Sequence, residues 1–326
     1  MTAPRSRVVS LLWGYGTGKD SRQADRKRAM AWLKILVGLA ILAALGTQLG
    51  SQTFVDGLRS IGAGELLAAL AIGLVTTVLS AWRWCLVARR LGLPITLGTA
   101  VADYYRAVFL NSVLPAGVLG DVHRAVRHGR EAGDVGRGVR AVVLERTAGQ
   151  AVLIIVGAVA LLAGPALAPV RGIVLTVLAV VAGLGLAVLA ARRWARDGSV
   201  WRRTVDDIRD GLLARAAWPG VALLSAAALA GHVTLFVVAA RAAGATAPVS
   251  ELVPLVVLSL LAMGLPVNVG GWGPREGVAA LVFGAAGLGA ALGLTAAVVY
   301  GVLALVSCLP GAGVLVMRAG RREAMA

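Results

Sequence analysis

Long apolar runs alternate with short basic stretches along this chain. Residues 31–49, 65–88, 141–163, 170–191, 218–240 and 288–316 are runs close to or above the roughly 20 apolar residues that an α-helix needs to cross a bilayer, and charged or turn-forming residues bound each of them. They predict six spanning helices. The segments 100–120, 251–266 and 277–287 are also apolar, but each is short or interrupted by proline and glycine.

The basic stretches set the orientation. Clusters of Lys and Arg precede residue 31, close the second run at Arg83, Arg89 and Arg90, extend from Arg124 through Arg127, Arg130 and Arg137 to Arg140, fill 192–215, and follow the last run at Arg318, Arg321 and Arg322. By contrast, 50–64 and 164–169 carry one basic residue between them. Basic loops stay on the cytoplasmic side, so all five clusters and both termini belong there. Residues 100–120 must then return to the side they left, as a re-entrant hairpin. Residues 251–266 and 277–287 read as the arms of a second hairpin. Three runs lie between the two, and an odd number of crossings turns the second hairpin over. The expected fold is an all-α polytopic membrane protein with about six full spans and two re-entrant broken-helix hairpins arranged as an inverted repeat. Residues 1–30 form a basic cytoplasmic tail, 31–317 the membrane domain and 318–326 a short cytoplasmic end.

Composition removes other classes. With 58% hydrophobic and 15% charged residues, a single soluble domain is excluded. A net charge of +16 would suit nucleic acid, but the cations flank apolar runs instead of covering an aromatic-studded soluble face, so nucleic acid is not an expected partner. Cys85 and Cys308 fall in apolar stretches without a C-x-x-C pair and read as buried free thiols. The stretch before residue 31 lacks the cleavage site of a secretory signal. No G-x-x-x-x-G-K-[ST], H-E-x-x-H or G-x-S-x-G occurs, and His123 and His128 are five apart, wrong for a helical metal pair, so no cofactor, metal or ATP hydrolysis is expected.

The chemistry concentrates at the interruptions. "NSVLPAGVLGDVHRA", Asn111 to Ala125, places Asp121, His123 and Arg124 just after the break at Pro115, Gly117 and Gly120. "GLPVNVGGWGPREGVA", Gly264 to Ala279, repeats the layout: matching Leu114-Pro115 to Leu265-Pro266 also matches Gly120 to Gly271 and Arg124 to Arg275, with Asp121 and Glu276 as acidic neighbours. Irregular backbone at membrane depth needs protein or a wet cavity around it. A charge there costs at least about 2.5 kcal/mol and usually serves a function.

Plainer readings accompany each feature. The glycines admit close helix packing, and Glu145-Arg146 admits an ion pair locking helix to hairpin. Arg83 and Arg106 read as snorkelling residues, and His232 as a hydrogen-bonded core residue. Gly289-x-x-x-Gly293 admits either a homodimer contact or internal packing. Two rival functions also stand beside a carrier: an integral-membrane lipid-modifying enzyme using Asp121, His123 and Glu145, and a scaffold recruiting a lipid or glycan biosynthetic enzyme through the basic tail.

"FLNSVLPAGVLGDVHRA", "VVLERTAGQ" at Val142–Gln150 and "LPVNVGGWGPREG" at Leu265–Gly277, in this order, resemble the motifs of the lysylphosphatidylglycerol synthase transmembrane (flippase-like) family. The resemblance extends from the first run to about residue 317. Leu119 stands where the family has the first glycine of a Gly-Gly-Asp, Asn268 where serine is common, and Pro274 precedes the arginine. The resemblance implies a plasma-membrane domain that moves a polar or charged lipid between leaflets: a phospholipid, an aminoacyl-phospholipid or a polyprenyl-linked glycolipid. It implies a substrate site made by Asn111, Pro115, Gly120, Asp121, Arg124, Glu145, Arg146, Asn268, Gly270, Gly271, Gly273, Arg275 and Glu276. The family's two-part members carry a soluble aminoacyl-transferring domain after the spans. This chain stops at Ala326, so lysyl transfer is not expected of it.

Overall fold

The computed structural model describes residues 59–114, 117–163, 217–264 and 272–323, together with Val55 and Gly172. The tail 1–30, the runs 31–49 and 170–191, and the loop 164–169 lie outside the described residues. Among those described, every regular element is an α-helix: α1 (Ala63–Arg90), α2 (Leu97–Val113), α3 (Leu119–Glu131), α4 (Val135–Ala163), α5 (Trp218–Ala242), α6 (Val249–Ala262), α7 (Pro274–Ala285), α8 (Ala290–Cys308) and α9 (Pro310–Glu323).

Local chemistry sets several ends. Glu65, in the first turn of α1, accepts the Gly62 N–H at 2.9 Å, and Arg89 and Arg90 close that helix where its dipole is negative. Asp134 accepts the Arg137 N–H at 2.8 Å and starts α4. Pro310 separates α8 from α9, because its missing N–H suits the first turn of a helix and not an interior.

Four stretches are long and apolar enough to cross a bilayer: Ala63–Arg90, Val135–Leu162, Trp218–Ala242 and Ala290–Met317. They coincide with the expected runs 65–88, 141–163, 218–240 and 288–316. Large apolar side chains such as Leu67, Val75, Ile155, Val159, Leu162 and Leu223 face outward, as a hydrocarbon surround allows. Cys85 and Cys308 are buried free thiols.

α1, α5 and α8 pack on one another as the centre of the bundle. α5 runs antiparallel to α1: a Cβ on Gly220 would sit 3.2 Å from Leu86, and one on Gly231 would sit 2.3 Å from the Thr76 methyl. Gly293 packs inside the chain, since its Cβ would meet the Ala279 carbonyl of α7 at 2.4 Å. Of the two roles open to Gly289-x-x-x-Gly293, Gly293 therefore has the internal one.

Two helical hairpins complete the bundle. α2 and α3 pack together, as do α6 and α7. The α5–α6 turn lies at the end of the bundle opposite Arg89 and Arg90, so the hairpins enter from opposite ends. Both breaks adjoin the middle of α4: Arg146 of α4 reaches Asp121 at the start of α3, and Gln150 of α4 lies against Gly264 at the end of α6. Glu145 and Gln150 are five residues apart, about 7.5 Å along the helix.

The boundaries differ from expectation for the first hairpin. Its returning arm, α3, continues to Glu131 and carries Asp121, His123, Arg124, Arg127, His128 and Arg130. A search for apolar length ends at residue 120, because this arm is polar and Asp121, Arg124 and Arg127 turn toward charged partners on neighbouring helices. The second hairpin's arms, Val249–Ala262 and Pro274–Ala285, lie within a few residues of 251–266 and 277–287.

Gly120 is where α3 crosses α2. A Cβ there would come 2.1 Å from the Ala107 carbonyl oxygen, which is backbone and cannot swing away. Gly120→Ala is expected to destabilise the protein by about 1–3 kcal/mol through overpacking. Gly98→Ala, with nothing within 4 Å, is expected to be neutral or to stabilise by up to about 1 kcal/mol. Thermal unfolding midpoints in detergent compare the two. Arg130→Cys and Thr246→Cys, both at exposed positions, are expected to label from opposite faces of the membrane in cysteine-accessibility experiments. Labelling of both from one face overturns the re-entrant arrangement of α2 and α3.

Candidate functional site

The first break gathers five ionised side chains from three helices. Glu145 on α4 is fully buried. Its Oε1 accepts from Arg83 Nε of α1 at 3.0 Å, from Arg83 Nη2, and from the Tyr104 hydroxyl of α2 at 3.2 Å. Its Oε2 accepts from Arg124 Nη2 of α3 at 2.7 Å. Arg83 also donates Nη1 to Ser225 Oγ of α5 at 3.0 Å. Asp121 sits one helical turn before Arg124 and accepts its Nε at 2.8 Å. On the other side it takes Arg146 Nη2, 2.8 Å from Oδ2 and 3.0 Å from Oδ1.

Asn111 closes the hairpin. Its amide nitrogen donates to Asp121 Oδ2 at 2.9 Å, and its oxygen accepts the Gly120 N–H at 2.8 Å, which satisfies one free donor at the start of α3. The Arg124 guanidinium lies over the Trp84 ring at 4.7 Å and the Tyr104 ring at 4.5 Å. Stacking covers the faces of the cation while its edges bind carboxylates. Arg124 and Glu145 are inaccessible, Asp121 is 13% exposed and Arg146 is 43% exposed. The cluster thus opens on one side, at Arg146.

The second break builds a smaller version. Gly273 has φ +105°, a conformation reserved for glycine, and turns the chain into α7. Its N–H donates to Glu276 Oε2 at 2.7 Å. Glu276 Oε1 accepts from Arg275 Nε at 3.0 Å and from Nη2. Arg275 lies 5.1 Å from the Trp272 ring and 5.1 Å from the Tyr300 ring. Gly301 on α8 leaves room for it, since a Cβ there would stand 2.5 Å from Nη2. Both Arg275 and Glu276 are buried.

Of the thirteen expected site residues, Asn111, Gly120, Asp121, Arg124, Glu145 and Arg146 come together at the first break, and Gly273, Arg275 and Glu276 at the second. Pro115, Asn268, Gly270 and Gly271 lie outside the described residues. Glu145 and Arg146 each bind the hairpin, to Arg124 and Asp121 respectively, so they tie α4 to α3 by two separate bridges.

Sequence reasoning missed Arg83. The structure corrects its assignment as a snorkelling residue, because its side chain is buried and held by Glu145 and Ser225. The signal was its depth: seven residues before Arg90 is about 10 Å inside the helix end. Arg106 is corrected likewise. It is buried, 3.3 Å from Asp103 and 3.2 Å from His123 Nδ1, and Arg127 joins Asp103 at 3.0 Å. His128 lies 3.3 Å from the Leu93 carbonyl, edge-on to Trp84. His232 is 3.4 Å from the Tyr300 hydroxyl, as expected of a hydrogen-bonded residue, but its ring is exposed and not in the core. Trp84, Tyr104, Trp272 and Tyr300 left no signal that separates them from core aromatics.

The family described as lysylphosphatidylglycerol synthase TM region matches residues 31–311. The chain belongs to that family, and with it to proteins of lipid-related membrane function. No curated protein matches the chain.

Removing Glu145 leaves two buried guanidinium groups without their shared acceptor. Glu145→Gln is expected to destabilise by about 3–5 kcal/mol, whereas Arg146→Gln, at the open edge, is expected to cost about 1 kcal/mol or less. Unfolding of both variants in detergent checks the ranking.

Proposed function

We propose that the chain carries lipids with polar headgroups between the two leaflets of the plasma membrane, with both termini in the cytoplasm. The observation that supports this reading most is that two broken hairpins, entering from opposite ends, both reach the middle of α4, where the first of them builds a charged cluster. Charge at that depth is costly, and a protein that only needed a stable bundle would gain as much from apolar side chains of similar volume. A headgroup crossing hydrocarbon faces the same cost as a buried ion. The cluster lowers it by offering fixed charges and donors in place of water. Arg146 and Asp121 are the groups a headgroup meets from the open side, and Glu145, Arg83 and Arg124 hold them in place. Family membership agrees with a lipid as the cargo.

The purified chain in liposomes carrying a fluorescent phospholipid tests this reading. Quenching from outside is expected to proceed beyond the outer-leaflet share in protein-containing vesicles and to stop at that share in empty ones, with the lipid chemically unchanged by mass spectrometry. Quenching that stops at the outer-leaflet share in both overturns the proposal. Conversion of the lipid points instead to an enzyme.

A further inference from the structure

His232 stands at the centre of the packed face of α5. Ser225, Ala228, Phe236 and Ala239 lie one or two helical turns from it on that face, and all of them are buried. Ser225 receives Arg83 of α1, and Phe236 stacks on Tyr300 of α8 with ring centroids 4.6 Å apart. Gly231, beside it, packs on Thr76 of α1. The imidazole between these contacts is nevertheless exposed. The packing therefore parts at His232. The outer side of α5 is elsewhere: Thr234, about 200° around the helix, is exposed and donates its hydroxyl to the Ala230 carbonyl.

Arg146 meets the same gap from α4. Its side chain is 43% exposed. Yet the face of α4 that bears it is covered one turn further on, where Gln150 lies against Gly264, and again at Gly157, whose Cβ would stand 3.3 Å from Leu261 of α6. The exposed part of Arg146 therefore looks into the space between the end of α6 and the first break. Arg83 and Arg146 both lie close enough to His232 for their charge to be felt there. On the other side, His232 Nδ1 is 3.4 Å from the Tyr300 hydroxyl, and the Tyr300 ring lies 5.1 Å from the Arg275 guanidinium of the second break. His232 thus stands between the two breaks.

Resting on the lipid-carrying reading above, we infer that a polar cavity joins the open side of Arg146 to His232, and that the His232 imidazole is a headgroup contact, donating its Nε2–H to the headgroup phosphate. A phenol is the better donor and an imidazole nitrogen the better acceptor, so Tyr300 donates to Nδ1 and the ring proton resides on Nε2. Among the described residues Tyr300 is the one hydrogen-bond partner of His232, which leaves Nε2–H for a ligand. A single N–H meets the phosphodiester that phospholipid headgroups share, whether or not they also have an amine. It adds no further fixed charge to a site already built from ions. A headgroup leaving Arg146 thereby finds a second point of attachment on the way to the second break, at a depth where losing a hydrogen bond is costly.

Two measurements test the inference. In liposomes, with Cys85 and Cys308 replaced by alanine, His232→Cys and Thr234→Cys are treated with a charged methanethiosulfonate reagent, which attacks the thiolate and so needs water at the thiol. His232→Cys is expected to react at least about tenfold faster; equal rates overturn the cavity. Binding is read from thermal unfolding of the full chain in mild detergent with short-chain phosphatidylglycerol, the matching diacylglycerol or glycerol phosphate added. His232→Ala is expected to need about tenfold more phosphatidylglycerol than the native chain for the same stabilisation, the scale of one hydrogen bond to a charged group. His232→Gln, which keeps an N–H, is expected to recover part of the loss, and diacylglycerol, which has no phosphate, to act alike on all three proteins. A folded His232→Ala protein that responds to phosphatidylglycerol as the native chain does overturns the inference, as does a diacylglycerol response that falls equally far. Should His232→Ala not fold, ring-nitrogen NMR signals of the native chain decide: with three histidines in the chain, His123→Gln and His128→Gln assign that of His232, and a signal that phosphatidylglycerol leaves in place overturns the inference. Glycerol phosphate acting as well as phosphatidylglycerol makes the ligand a soluble phosphate and overturns the lipid assignment. A native chain that meets both expectations but exchanges no lipid between leaflets sinks the carrier reading and leaves His232 as a phosphate contact; exchange with neither expectation met does the reverse.

Discussion

One buried carboxylate fixes the arrangement of three helices. Glu145 receives Arg83 from α1 and Arg124 from α3 while standing on α4, and none of the three ions is accessible beyond a few per cent. In hydrocarbon no water takes over if one partner withdraws, so the three helices are bound to one point for as long as the ions stay charged. Gly149 belongs to the same device. It lies one turn beyond Glu145 on the same face of α4, and a Cβ there would come 2.9 Å from Arg83 Nη1. The glycine shapes the space into which the guanidinium extends.

The two hairpins solve one problem with different partners. In each, an arginine near the start of the returning arm lies against a tryptophan and a tyrosine and spends its edges on carboxylates. The first draws its aromatic rings from α1 and α2 and its acids from α3 and α4. The second takes Glu276 from the adjacent residue, Trp272 from just before α7 and Tyr300 from α8. A guanidinium is poorly hydrated on its faces and strongly hydrogen-bonding at its edges, so an aromatic shelf with an acidic rim suits it at membrane depth. Fixing Arg275 by its own neighbour makes the second hairpin self-sufficient. Distributing the partners of Arg124 over several helices makes the first a junction.

The features legible in the sequence were those that follow from chain-local rules. Apolar length located four described spans, basic flanks located one end of the bundle, and Pro115, Gly120, Pro266 and Gly273 marked the interruptions. Asp121 and Arg124 stood out as charges beside a break in an apolar run, and Glu145 and Arg146 through the family motif that they match. What stayed hidden depends on distance along the chain. Arg83 and Glu145 are 62 residues apart, and Arg83 and Ser225 are 142 apart, so Arg83 read as a side chain reaching for the interface. Gly120 looked like part of a site, and its close crossing with Ala107 became visible only once α2 and α3 were side by side. The polar arm of the first hairpin escaped for the same reason: apolar length measures what faces lipid, and α3 turns its charges toward other helices.

A carrier of the proposed kind has to release its cargo, so its site cannot be saturated or deeply attractive. Full balance would leave the first break as inert as the pair at Arg275 and Glu276, while several unpaired cations in a low-dielectric surround would hold an anion too tightly to let it go. Three guanidinium groups against two carboxylates lie between these limits. Among the described residues the excess is a single charge, and Asp121 already occupies part of the cradle that Asn111, Arg124 and Arg146 form. On the proposed reading, a headgroup that reaches Arg146 competes with a resident carboxylate, and the return of Asp121 to the same donors favours its departure. In a carrier built this way, the carboxylate that stabilises the site between loads is also the group that keeps binding reversible.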